Sequence, residues 1–141
     1  MKKKILIVLA NYYKNISDGL LKSALKNIPN SSYVKIIRVP GVFEIPVTIS
    51  KNSKKFDAFL ALGCVIKGQT PHFDFISQAS TNAIMDISVS QKKPVGNGII
   101  TCLNMKQAKE RKSKGAEAAN AVVSILSQKR RLTLSQKIIL E

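Results

Sequence analysis

Residues 59–77 read Phe59-Leu-Ala-Leu-Gly-Cys-Val-Ile-Lys-Gly-Gln-Thr-Pro-His-Phe-Asp-Phe-Ile-Ser77. The apolar run stops at Ile66, and Lys67-Gly68 breaks it. Thr70 has N-cap chemistry and Pro71 suits the first helical position, where no N–H is needed. The stretch therefore predicts a buried strand, a tight turn and a helix starting at Pro71. Such a junction turns the amides of Gly68, Gln69 and Thr70, with the positive end of the helix dipole, toward whatever sits above the strand's carboxyl end. Phosphate suits that position. His72, the only histidine in the chain, falls in the first turn, where the dipole disfavours the imidazolium and favours a neutral base near pH 7. Local chemistry alone equally allows an ordinary capped junction with a solvated histidine.

Outward from this junction, strand and helix patterns alternate. Lys4 to Ala10 is a continuous apolar strand, and Ile16, Leu20, Leu21, Ala24, Leu25 and Ile28 have helical spacing up to Pro29. Tyr33 to Val39 is strand-like. Pro40-Gly41 leads into a short helical segment, Phe43 to Lys51, in which Pro46 fits only a first turn. Asp57 to Ile66 is the third strand and Pro71 to Ser88 a long helix. Pro94 to Cys102 is a fourth strand, followed by helices over Met105 to Lys112 and Gly115 to Arg130. Strands separated by helical crossovers predict a four-stranded parallel sheet between two helical layers, a three-layer α/β/α fold whose ligands belong outside the strands' carboxyl ends.

With 141 residues and 45% hydrophobic content, the chain fits one domain, residues 1–141, with a substantial core. No apolar run reaches the ~20 residues of a membrane span, and the run after Met1-Lys-Lys-Lys4 is too short for a signal peptide. Cys64 and Cys102 each lie near the end of an apolar run, as small buried thiols of a reducing compartment do, so the protein is expected in the cytoplasm. One histidine and two cysteines distant in sequence offer no metal-ligand spacing. The net charge of +15 is spread over many lysine groups without interleaved aromatics or a nucleic-acid motif. It reads as a solvated surface that would steer anionic substrates, with no specific nucleic-acid partner.

Three ordered blocks carry a resemblance: Val39-Pro-Gly-Val-Phe-Glu-Ile-Pro46, Leu62-Gly-Cys-Val-Ile-Lys-Gly-Gln-Thr-Pro-His-Phe-Asp74, and Gln107-Ala-Lys-Glu-Arg111 followed by Lys114-Gly-Ala-Glu-Ala118. Together they resemble the lumazine synthases of riboflavin biosynthesis, whose flavodoxin-like fold agrees with the alternating pattern. The resemblance implies condensation of 5-amino-6-(D-ribitylamino)uracil with 3,4-dihydroxy-2-butanone 4-phosphate, losing phosphate and water, without metal or organic cofactor. It assigns the phosphate to the Gly68-Gln69-Thr70 turn and Arg111, counts Lys67 among the substrate-binding residues, and gives proton transfer to His72. It further implies a pyrimidine and ribityl pocket lined by Val42, Phe43, Glu44, Val65 and Ile66, with Tyr12 stacking on the heterocycle. Asn97 stands where many relatives carry an aromatic over the ring, and Lys114 matches the lysine of the last block. Relatives assemble as pentamers with sites between neighbours, some joining into sixty-subunit shells. The short link from Arg111 to Lys114 argues for the pentamer.

Each residue keeps a plainer alternative on local grounds. Phe43 suits a core, Arg111 and Lys114 a solvated basic helix, and Glu44 a helix start. Two other classes also fit parts of the pattern. A flavodoxin-like protein binding phosphorylated or flavin ligands without turnover would need neither His72 nor Arg111, and a basic assembly module would show salt-steep binding alone.

Overall fold

The computed structural model describes residues 2–128. Its elements in chain order are β1 (Lys4–Ala10), α1 (Lys14–Leu25), β2 (Tyr33–Val39), a 3-10 turn (Val42–Glu44), α2 (Ile45–Lys51), β3 (Ala58–Ile66), α3 (His72–Gln91), β4 (Val95–Cys102), α4 (Met105–Glu110) and α5 (Lys114–Leu126). The four strands are all parallel, in the order β2-β1-β3-β4. β1 and β3 lie in the middle, covered on both faces, which is why their sequences are apolar without alternation. β2 is an edge strand and alternates less cleanly, leaving Tyr33 and Ile36 exposed.

Alternate residues of the central strands feed two separate cores. Ile5, Ile7, Leu9, Leu60 and Leu62 pack with Leu20 and Ala24 of α1 and Ala118 and Val122 of α5. Leu6, Val8, Phe59 and Ala61 point to the other face, against Ile45 and Ile49 of α2 and Ile84 of α3. The result is a three-layer α/β/α arrangement of flavodoxin-like kind. Small residues set the helix-to-helix distance: a Cβ on Gly115 would lie 2.1 Å from the Leu20 carbonyl oxygen, so α5 rests directly on the α1 backbone. No helix among the described residues is long and apolar enough to cross a membrane.

Several boundaries differ from the sequence reading. α1 closes at Leu25, and Ile28 reaches the core from a turn in which the Ile28 N–H donates to the Leu25 carbonyl. The predicted Phe43–Lys51 helix splits into a 3-10 turn and α2, with Pro46 in the first turn of α2. α3 runs on to Gln91, where Lys92 at φ 56° adopts the left-handed conformation that ends it. α4 stops at Glu110, closed by Arg111 N–H donating to the Ala108 carbonyl. The last residues of the predicted Gly115–Arg130 helix and the tail 132–141 lie outside the described residues.

Candidate active site

β1 hands the chain to β2 through α1 on one face of the sheet, while β3 hands it to β4 through α3 on the other. A crevice opens above the carboxyl ends of β1 and β3, where these connections part. It holds a cavity of about 650 Å³, ample for a small molecule of heterocycle and sugar size.

One wall is the junction after β3. The Lys67 N–H still donates to the Cys102 carbonyl at 2.8 Å, continuing the sheet ladder, and the chain then leaves it. Thr70 Oγ1 accepts from the His72 N–H at 3.4 Å, and the Phe75 N–H donates to the Pro71 carbonyl at 3.2 Å. Pro71 is the N-cap of α3 and supplies its first helical carbonyl, so the helix starts at His72, one residue later than the Thr70 cap and Pro71 start expected from the sequence. Lys67 to His72 are all exposed. A Cβ on Gly68 would meet nothing within 4 Å, so its backbone is open to a ligand. Gly68, Thr70 and His72 line the cavity, together with Phe73 and Ile76 further along α3.

The second wall is the turn after β2. The Gly41 N–H donates to Glu44 Oε1 at 3.0 Å while the Glu44 N–H donates back to the Gly41 carbonyl, which folds Val42-Phe43-Glu44 into a tight 3-10 turn. Val42 is buried, and Phe43, 62% exposed, stands at the cavity mouth. This turn can lie on β3 because residue 63 is glycine: a Cβ there would come within 2.8 Å of Val42 Cγ2 and 3.0 Å of the Ala10 Cβ. Cys64, Val65 and Ile66 form the floor.

The third wall follows β1. Tyr12 and Tyr13 stack edge to face, with ring centroids 4.9 Å apart. Tyr12 is 75% exposed over the cavity, whereas Tyr13 packs against the α1 side of the core. Burial and the neighbouring Tyr12 push the Tyr13 hydroxyl above its usual pKa. Their loop is pinned from several directions. The Asn11 N–H donates to the Val39 carbonyl at 2.8 Å, Ser17 Oγ donates to the Ala10 carbonyl, and the Arg38 guanidinium reaches Asn11 Oδ1 at 3.0 Å and Asp18 Oδ1 at 3.1 Å.

Three residues of the sequence reading lie elsewhere. Asn97 is exposed on β4 and accepts from the Ile99 N–H at 3.0 Å. Arg111, after α4, donates to the Thr101 carbonyl at 3.3 Å, and Lys114 pairs with Glu117 at 3.7 Å. None of them lines the cavity, and Lys67 and Gln69 belong to the turn without lining it. The fold thus brings together Tyr12, Val42, Phe43, Glu44, Val65, Ile66, Gly68, Thr70 and His72, leaving the β4 to α5 residues on another flank. Sequence reasoning missed Gly41, Tyr13, Cys64, Phe73 and Ile76 as lining. Gly41, Tyr13, Cys64 and Phe73 adjoin predicted site residues in sequence, and Ile76 follows His72 by one helical turn; these were the signals available.

A family model described as 6,7-dimethyl-8-ribityllumazine synthase matches residues 2–130. Curated relatives carry that name. The one from Bartonella tribocorum is 42% identical over 143 residues, covering 93% of this chain and 94% of its own. That from Cutibacterium acnes is 40% identical over 133 residues, covering 88% and 80%. The enzyme numbered 1 in Rhodopseudomonas palustris is 39% identical over 142 residues, covering 92% and 87%.

Proposed function

The chain belongs to the 6,7-dimethyl-8-ribityllumazine synthase family, and from that premise we infer that it is a transferase of riboflavin biosynthesis. It joins 5-amino-6-(D-ribitylamino)uracil to 3,4-dihydroxy-2-butanone 4-phosphate. The 5-amino group condenses with the ketone to an imine, expelling one water; phosphate is then eliminated, and closure of the ring by the ribityl-bearing nitrogen on the remaining carbonyl expels a second water. In this reading the open amides after β3 hold the phosphate, with Lys67, Gln69 and Thr70 around it and Arg111 as the charge-assisted donor. His72 moves protons during imine formation and phosphate loss. Tyr12 stacks on the heterocycle, while Val42, Phe43, Glu44, Val65 and Ile66 shape its pocket. Most of the acceleration comes from orienting two reactants, since the amine is already nucleophilic.

The observation that supports this reading most is the convergence on one cavity of an open turn, a first-turn histidine and an exposed aromatic. Arg111, Lys114 and Asn97 then serve the cavity of a neighbouring copy, and the functional unit is a homopentamer of single-domain chains, residues 1–141. Exposed Phe75, Met85 and Val89 along α3 favour such association, because they share one side of the helix that no other described residue buries. Two buried, unbridged thiols favour a cytoplasmic location.

Mixing the purified protein with both substrates at neutral pH and following lumazine absorbance tests the assignment. Acceleration over the spontaneous reaction supports it, and a folded sample that binds both substrates without turnover would refute it.

A further inference from the structure

In a parallel α/β fold, the amino ends of the strands and the carboxyl ends of the crossover helices lie along one edge, opposite the ligand crevice. Eight exposed lysines fall on that edge: Lys2 to Lys4 at the start of β1, Lys26 after α1, Lys51 ending α2, Lys54 and Lys55 before β3, and Lys92 after α3. Asp57 on this edge accepts the backbone N–H of Lys4 at 2.8 Å, and Asp86 is exposed in the closing turns of α3. All three ion pairs among the described residues, Lys14–Asp18, Arg38–Asp18 and Lys114–Glu117, lie toward the opposite edge. The charge that the sequence spreads along its length is therefore sorted by the fold.

Helix dipoles account for Lys26, Lys51 and Lys92, which sit at helix carboxyl ends. They do not account for Lys2 to Lys4 or for Lys54-Lys55. Like charges gathered on one edge repel one another over the screening length of about 10 Å at 0.1 M salt, and no ion pair among the described residues offsets them. One aromatic joins this row. Tyr33 pairs with Lys4 in the β1–β2 register, its N–H donates to the Lys3 carbonyl at 2.8 Å, and its side chain is half exposed. Lysines flanking an open aromatic ring supply what a single-stranded nucleic acid takes: cations for the phosphates and a face for a base.

We propose that the amino edge of the sheet binds single-stranded nucleic acid without sequence preference, through these lysines and Tyr33. This function is independent of the synthase reading. Lysine, a mobile point charge, suits phosphate tracking rather than the bidentate reading of bases.

The test is fluorescence anisotropy of a labelled oligothymidylate of about 20 nucleotides against the full chain, from about 50 to about 200 mM salt. Binding should weaken steeply with salt, with a log–log slope near −0.7 per phosphate engaged. The triple variant Lys3→Gln, Lys54→Gln, Lys55→Gln should reduce that slope by about 2 and lose roughly tenfold in affinity, with ring-forming activity unchanged. Tyr33→Leu should weaken the oligonucleotide by about tenfold while sparing a duplex of equal length. No binding at the lowest salt would overturn the proposal. So would equal losses in the opposite-edge control Lys106→Gln, Lys109→Gln, or tighter binding to phosphatidylcholine vesicles carrying phosphatidylglycerol than to the oligonucleotide.

Discussion

Glu44 serves both the backbone and the cavity. Its carboxylate closes the 3-10 turn on the Gly41 N–H, and the residue also lines the cavity. A glutamine keeps the acceptor and loses the charge, whereas an alanine loses both. Glu44→Gln should therefore leave thermal stability within about 0.5 kcal/mol of the parent while lowering kcat/KM. Glu44→Ala should lose about 1 kcal/mol as well, in proportion to a lost cap. Equal melting of the two variants would show that the carboxylate does not hold the turn. Gly63 has no such dual role; it is simply the place where the turn touches β3. Gly63→Ala forces Val42 off the strand and should cost about 1–3 kcal/mol in urea unfolding. The thiols follow from burial. Burial and the adjacent Cys102 push Cys64 up to about 12, and burial raises Cys102 against the opposing pull of Arg111. At pH 8 neither should react with a disulfide reagent until the protein unfolds, and rapid labelling of the native state would contradict this packing. The sequence announces Glu44 and His72 through their motifs. The meeting of Cys64 with Cys102 and of Gly63 with Val42 depends on strand register and helix seating, which no local pattern encodes.

At the scale of elements, β1 and β2 begin and end where the sequence pattern says, and β3 and β4 start one residue inside it. Burial of both faces makes the central pair, β1 and β3, continuous apolar runs. Helix ends were less legible. α2 begins after a 3-10 turn because Glu44 folds back on Gly41, and α3 outlasts Ser88 because Lys92 takes the left-handed cap that glycine usually supplies. The start of α1 shows how elements hold one another. Asp18 accepts from Lys14 at 2.9 Å and from Arg38 of β2 at 3.1 Å, tying helix, loop and edge strand beneath Tyr12. These hydrogen bonds hold the Asp18 carboxyl below its ordinary value of 3.8. A depressed carboxylate adds stability that is complete above the unfolded value and disappears as pH falls through the folded one. The melting temperature of the parent should exceed that of Asp18→Asn from neutral pH down to about 5, and the gap should close toward pH 3. A gap that persists at pH 3 would mean that the side chain acts through packing instead of charge.

At the scale of the molecule, one group of the family-motif residues lines the cavity and another does not. The cavity above β1 and β3 holds His72, Tyr12 and Glu44, while Arg111 is fastened to the Thr101 carbonyl beyond β4. On the proposed roles, His72 lines the cavity of its own chain and Arg111 does not. The proposed sharing of sites between copies accounts for this, and it makes a prediction that a self-contained site does not. His72→Ala lacks the base and Arg111→Ala lacks the anchor, so each variant alone should fall by about 10² or more in kcat/KM. If the two are unfolded together, mixed in equal amounts and refolded, about a quarter of the interfaces in a cyclic assembly join an intact His72 to an intact Arg111. Those sites should restore about a quarter of the parental activity, while each variant refolded alone stays inactive. Failure of the mixture to recover activity, in an assembly shown by sedimentation to contain both chains, would place Arg111 and His72 in the same subunit's site. The outer loop would then have to swing toward its own cavity when substrate binds.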